Sequence, residues 1–331
     1  GDPAEPVLQR VNAGMSDSFQ RILVTGATGF LGHHLMPRLR DAFPIAQLFP
    51  AGRAQGDLRD PDQARRLLAE TRPDAVVHLA ALSGGIISND QRPADYFYEN
   101  TVINTHMLHE SFRAGVCKFM SLIGGCSYPA TATSPIGEDQ IWNGFPQIQS
   151  AGYSVAKKML LVQSWAYRKQ HGFNSVIVIP GNLYGEWDNF RPAESHVIPA
   201  LLRRFVEAQE QGQPRVACYG SGQPTRDFVY AGDVAAVLPW FLKHYDRSEP
   251  VNISTGRRIS IRELAETVKA VTDYRGEITW DPSKPAGQMD KIFDVSRLKA
   301  LGLSCETPLE TGLRRTAEWF VEARRQNIVR L

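Results

Sequence analysis

The chain has 331 residues, 43% hydrophobic and 22% charged, with a formal net charge of +2. That length suits one large domain with a smaller appended one. So small a charge gives no reason to expect nucleic acid or a membrane surface as partner, and no apolar stretch reaches the ~18 residues that read as a membrane-spanning helix. Residues 1–19 are polar, lack an apolar signal core, and read as a poorly ordered lead-in. The first buried-strand pattern is RILVTG at 21–26, followed by helical spacing in FLGHHLMPRLRDAF. Further short apolar runs follow: IAQLF (45–49), DAVVHLA (74–80), KFMSLIG (118–124) and NSVIVIP (174–180). Helical patterns at 61–71, 94–114 and 151–171 separate them. This alternation predicts a Rossmann-type α/β fold, a doubly wound parallel sheet covered on both faces. Beyond 181 the pattern changes. Helices near 196–210, 260–271 and 308–325 mix with short strands in RVACYG, PVNIST and GEITW. We therefore expect a dinucleotide-binding domain over 20–180 and a smaller mixed α/β, mainly substrate-binding, domain over 181–331, with the chain crossing between them. No internal repeat or low-complexity segment is visible.

Gly26, Gly29 and Gly32 form a GxxGxxG turn between the first strand and the first helix. Glycines there let backbone approach a pyrophosphate, and the helix N-terminus at Phe30 and Leu31 offers N–H groups to the phosphates. The second strand runs into FPAGRAQGDLRD, with no acid at its end and Arg53 just beyond it. A guanidinium suits a ribose 2′-phosphate, so the expected cofactor is NADP(H) rather than NAD. Asp57 and Leu58 follow, with Asp57 a candidate for the adenine amine. Tyr153 and Lys157 form a YxxxK pair on one helical face. An ammonium beside a phenol favours the phenolate, which would make Tyr153 a usable proton donor to a carbonyl and leave Lys157 for the nicotinamide ribose. Cys117, Cys126, Cys218 and Cys305 lack CxxC spacing and read as reduced thiols in a cytoplasmic protein, neither a disulfide framework nor a metal site.

The segments GGIISNDQRPADYFYEN (84–100), GGCSYP (124–129), GYSVAKK (152–158), GNLYGEWDNFRPAESHVIPALLRRF (181–205), YGSGQPTRDFVYAGDVA (219–235) and PAGQMDKIFDVSRLKALG (285–302) carry a resemblance over residues 20–320. The chain resembles the extended short-chain dehydrogenase/reductases and, within them, the GDP-L-fucose synthase family of 3,5-epimerase/4-reductases. That resemblance implies a GDP-linked 4-keto sugar as substrate and a homodimer formed through the helix of Tyr153. It also implies that Cys126 and His196 are the acid/base pair that epimerises carbons 3 and 5. Free thiol and imidazole have pKa values of ~8.5 and ~6.5, near enough to neutrality to give and take protons. Asn182, Arg204, Arg226 and Lys291 match positions that hold the nucleotide-sugar. The chain departs from the family at Gly124, where the triad serine is expected. Strand alternation would turn the neighbouring Ser127 away, and Ser83 is the other hydroxyl in reach along the chain. Two further readings follow: a GDP-sugar epimerase that keeps NAD(P) bound without net reduction, like GDP-mannose 3,5-epimerase, and a non-catalytic nucleotide sensor, which the presence of Tyr153, Lys157, Cys126 and His196 disfavours.

Overall fold

The computed structural model describes residues 19–192, 194–283 and 288–329. The expected lead-in, apart from Phe19, lies outside the described residues, as do residues 285–287 of the loop leading to Lys291. The first half of the chain alternates as expected. Strand β1 (Arg21–Thr25) leads to helix α1 (Phe30–Ala42), β2 (Gln47–Ala51), α2 (Pro61–Thr71) and β3 (Ala75–His78). Then come α3 (Ile86–Gln91), α4 (Pro93–Arg113), β4 (Lys118–Leu122), α5 (Ala151–His171) and β5 (Ser175–Pro180). Strand β2 begins two residues later than the apolar run suggests. Its pairing with β1 starts at Arg21 opposite Gln47, and Ile45 is left exposed ahead of it. Helix α2 starts where local chemistry says it should: the Asp60 side chain accepts from the Asp62 N–H and proline takes the first turn.

The remaining elements are β6 (Asn182–Tyr184), α6 (Val197–Glu210), β7 (Arg215–Tyr219), β8 (Thr225–Arg226), β9 (Phe228–Tyr230), α7 (Ala231–His244) and β10 (Val251–Ile253). They continue with β11 (Ile259–Ser260), α8 (Ile261–Val271), β12 (Glu277–Asp281), β13 (Asp290–Lys291), α9 (Ser296–Ala300) and α10 (Leu309–Arg325). The main sheet has six parallel strands in the order β10-β5-β4-β3-β1-β2. Strand order reverses between β1 and β3, and such a switch opens a crevice at the carboxyl ends of the strands. The run around PVNIST does not join the short strands of the C-terminal part. All three residues of β10 are buried, and they pair with β5 at the edge of the main sheet. Helix α7, which sequence patterning left unmarked, packs on α1 and shares its apolar core. A second core is built from α6, α8 and α10 with Val216 and Cys218 of β7. The fold is thus α/β, a Rossmann-type sheet with smaller sheets beside it.

Candidate active site

The glycine turn lies at the end of β1, beside the switch. Gly26 has φ +70°, and a Cβ there would sit 2.7 Å from the Ala80 nitrogen. A Cβ on Gly32 would lie 2.4 Å from the Ala27 carbonyl oxygen, so α1 rides directly against the turn. No side chain caps α1 and no acid stands in its first turn. Its N-terminus, at Gly29, Phe30 and Leu31, is therefore open to an anion by both hydrogen bonding and dipole. Arg53 follows β2 in a short 3-10 turn and is exposed. The Asp57 carboxylate takes hydrogen bonds from Arg59, with Nη2 at 2.6 Å, and these hold it down to about 2. Leu58 is buried beside them, its carbonyl 3.1 Å from His106 Nδ1. These residues fit a dinucleotide with a phosphorylated ribose: an uncapped helix, a turn stripped of side chains, and a guanidinium where an acid would repel.

Cys126 sits in a 3-10 turn, Gly125–Ser127, directly after β4, while Tyr153 and Lys157 rise from the first turns of α5. Gly124 lies between them. A Cβ built on it would be 3.1 Å from Cys126 Sγ and 3.7 Å from Tyr153 Cε1. The side chain missing at 124 would therefore fill the gap between thiol and phenol. The backbone there is extended, φ −89° and ψ 154°, so no bend demands a glycine. Ser127 belongs to the 3-10 turn rather than to a strand, and alternation does not govern its direction. It is fully buried, and its Oγ has no hydrogen-bond partner among the described residues. Ser83 is exposed on the loop after β3. Lys157 is buried; its Nζ donates to the Leu122 carbonyl at 3.2 Å, and burial pulls it down to about 8. The expected lowering of Tyr153 does not occur. Burial pushes the phenol up, and the neighbouring acids Cys126 and Tyr96 add to the rise. Tyr96 packs edge-on to Tyr153 at 6.4 Å between ring centres, and its hydroxyl lies 2.9 Å from Ser88 Oγ.

His196 precedes α6, and its side chain caps nothing. The residue is exposed, yet desolvation by the protein around it lowers its pKa. The segment before it touches the Rossmann part: Gly85 N–H donates to the Glu194 carbonyl at 2.7 Å. Lys291 is also held down by burial, and Cys126 is near enough to act on it electrostatically, as is Arg226. Arg226 Nη1 donates to the Thr225 and Gln288 carbonyls. Arg204 reaches from α6 across the ring of Tyr219, 4.8 Å from its centroid, to the Ala217 carbonyl. Asn182 Nδ2 donates to the Asp227 carbonyl at 2.8 Å, locking β6 to the loop beside β9. Gly124, Cys126, Tyr153, Lys157, Lys291 and Arg226 thus lie in one neighbourhood; the segment ahead of His196 is bonded to Gly85, next to Gly84, which lies against Tyr96, the partner of the Tyr153 ring. Arg204 stands further along α6.

The pattern of the NAD dependent epimerase/dehydratase family matches residues 22–254, which spans the glycine turn, Cys126, Tyr153, Lys157 and His196. The chain belongs to this epimerase/dehydratase family. Among relatives, it is 38% identical to GDP-L-fucose synthase of Sinorhizobium fredii over 302 residues, 91% of this chain and 96% of that one. It is 36% identical to GDP-L-fucose synthase of Escherichia coli over 314 residues, 92% and 98% of the two chains. In structure it is similar to a GDP-L-fucose synthetase from Naegleria fowleri bound to NADP, with TM-score 0.85, 29% identity, and coverage of 96% and 100%. Tyr96 and Trp187 have no role that the sequence marks. Tyr96 supports Tyr153. Trp187, held at φ +69°, stacks on His33 of α1 at 3.8 Å and lies 5.1 Å from Trp319 of α10, tying the two halves together. A positive φ on so bulky a residue leaves no mark in the sequence, because the strain is sustained by tertiary packing.

Proposed function

We propose that this chain is an NADP-dependent GDP-4-keto-6-deoxyhexose 3,5-epimerase/4-reductase, working in the cytoplasm as a homodimer, with the dinucleotide on residues 20–180 and the sugar nucleotide mainly on 181–331. One observation carries this reading: Cys126 and Tyr153 flank a single gap beside Lys157, and the loop of His196 is bonded to the same neighbourhood. The relatives named GDP-L-fucose synthase and the neighbour bound to NADP support the choice of sugar nucleotide and cofactor. A ketone at carbon 4 acidifies the protons on carbons 3 and 5. In this reading one of Cys126 and His196 removes such a proton and the other returns one to the opposite face. The lowered pKa of His196 keeps its ring neutral, and able to accept a proton, below the usual imidazole range. NADPH, when bound, supplies hydride to carbon 4. Tyr153 is raised by burial and so keeps its proton until a carbonyl oxygen needs it, while Lys157, charged below about pH 8, holds the ribose. Arg204, Arg226 and Lys291 supply the positive charge for a diphosphate.

Gly124 favours a second reading, epimerisation with no net reduction, because the gap beside Tyr153 holds no serine hydroxyl. Incubation with GDP- and dTDP-linked 4-keto sugars, with and without NADPH, tests both. Mass spectrometry in heavy water is expected to show deuterium entering at carbons 3 and 5 of the GDP sugar. NADPH should then be consumed and the product should gain two hydrogens. Exchange without NADPH consumption selects the second reading, and no conversion of any GDP sugar overturns both. Cys126→Ser and His196→Asn should each slow the exchange and leave NADPH binding intact.

A further inference from the structure

Gly84 and Gly85, between β3 and α3, have no role in the chemistry above. Gly85 has φ −67° and ψ 174°, a conformation open to any residue. Its lack of a side chain serves a contact instead. Its N–H donates to the Glu194 carbonyl at 2.7 Å, and a Cβ built on it would lie 2.6 Å from the Ser195 carbonyl oxygen and 3.1 Å from that of Glu194. Both neighbours are backbone, so neither can swing aside as a side-chain tip would. The next residue along is His196.

The glycine is itself held firmly. Asn89, buried on α3, donates its Nδ2 to the carbonyls of Gly84 and Gly85 at 2.8 and 3.0 Å. Asn100 on α4 clasps Leu82 from both sides, accepting from its N–H and donating to its carbonyl. Helix α3 also packs on the turn 148–150, directly ahead of the helix that carries Tyr153. On the far side, Phe190 is fully buried and stacks on Phe320 at 4.3 Å, which anchors the start of the His196 segment in the second core. This short helix therefore packs on the turn ahead of the Tyr153 helix, and the glycine at its start meets the segment that leads to His196.

We propose that Gly85 is a positioning residue: it sets the distance of the His196 imidazole from the reacting sugar by letting two backbones meet at hydrogen-bond range. The proposal rests on the epimerase reading above. A methyl group at 85 would push residues 194–195 outward and carry His196 with them. Cys126, Tyr153 and Lys157 stand on other elements and would stay in place.

Gly85→Ala tests this. Solvent deuterium exchange at carbons 3 and 5 is expected to fall roughly tenfold to a hundredfold in kcat, the usual consequence of a catalytic group displaced by about an ångström. Hydride transfer in reverse, from GDP-L-fucose to NADP⁺, needs no epimerisation and should stay within about twofold, as should NADPH affinity, because neither uses His196. With His196 as the proton acceptor, moving it away from the protein that desolvates it raises its pKa, so the acid limb of the exchange rate should shift to higher pH. A simple loss of stability would not move that limb. Asn89→Ala, which removes the two amide bonds without adding bulk, should give a smaller fall in exchange with the same sparing of hydride transfer, and it decides the matter if Gly85→Ala folds poorly. Undiminished exchange and an unmoved acid limb in a folded variant overturn the proposal. Absence of exchange in the parent protein overturns the epimerase reading instead.

Discussion

Gly124 shows how much a single missing side chain can say. Its extended backbone accepts serine without strain, and the space it leaves points at Cys126 Sγ and Tyr153. A hydroxyl placed there stands beside the oxygen that receives a proton, and one positioned donor of this kind is worth about two to three decades in rate. Gly124→Ser is therefore expected to speed NADPH oxidation and leave exchange at carbons 3 and 5 little changed, with thermal melting run alongside because the new Cβ lies 3.1 Å from the thiol. A folded serine variant that reduces no faster would show that another group already does this work. Arg53 carries the second expectation at this scale. It is exposed at the end of β2, and a charge-assisted contact to the 2′-phosphate contributes about 1.5–3 kcal/mol, roughly tenfold to a hundredfold in affinity. Arg53→Ala should weaken NADPH by that factor and leave NADH nearly untouched in a fluorescence titration. Equal titration curves for both cofactors in the parent would remove Arg53 from the site.

Helix α1 performs two tasks with one glycine. Its N-terminus must face phosphate, and its first turn must pass close to the strand-end turn at Ala27. A Cβ on Gly32 would lie 2.4 Å from the Ala27 oxygen and 2.6 Å from that of Gly26, all backbone. Gly32→Ala should force α1 outward, at a cost of about 1–3 kcal/mol by overpacking. The melting temperature should fall and NADPH should bind more weakly, because the displaced N–H groups no longer converge on the phosphates. Gly172→Ala is a useful comparison: it has φ +65° but nothing within 4 Å, so its strain should lower the melting temperature while NADPH affinity stays unchanged. Loss of affinity in both variants would mean that general loosening, not helix placement, controls the cofactor.

At the scale of the molecule, α5 leaves apolar side chains exposed. Helices α4 and α5 pack closely on each other, yet Met159, Val162 and Trp165 project outward from α5. Met159 and Val162 border a groove of about 420 Å³ lined also by Thr101, Thr105 and Ala166. Side chains of this kind in a contiguous patch mark a contact surface, and a homodimer through this face would cover them. For the homodimer proposed above, Trp165→Glu should give monomers in light scattering, because a carboxylate would be desolvated against an apolar partner. An unchanged mass would place any dimer contact elsewhere.

Much of this molecule was legible in the sequence because its signals are local. The glycine turn, the buried parallel strands and the YxxxK helix follow from steric demands and periodicity within a few residues of one another. Helix α2 over 61–71 and α5 over 151–171 have the limits that the pattern implied. Distance along the chain limited the rest. Val251–Ile253 is too short for its run of apolar residues to reveal its sheet, and pairing with β5 decided it. The direction of the Tyr153 shift is not legible in the sequence, because the spacing to Lys157 says nothing of burial, which pushes the phenol up. Residues 85 and 196 are more than a hundred positions apart, and no spacing rule joins them. Sequence alone determined which chemical groups this protein carries and the helices and strands that bear them. Only the tertiary structure decided which groups meet, because desolvation and backbone contact arise when distant segments close on one another.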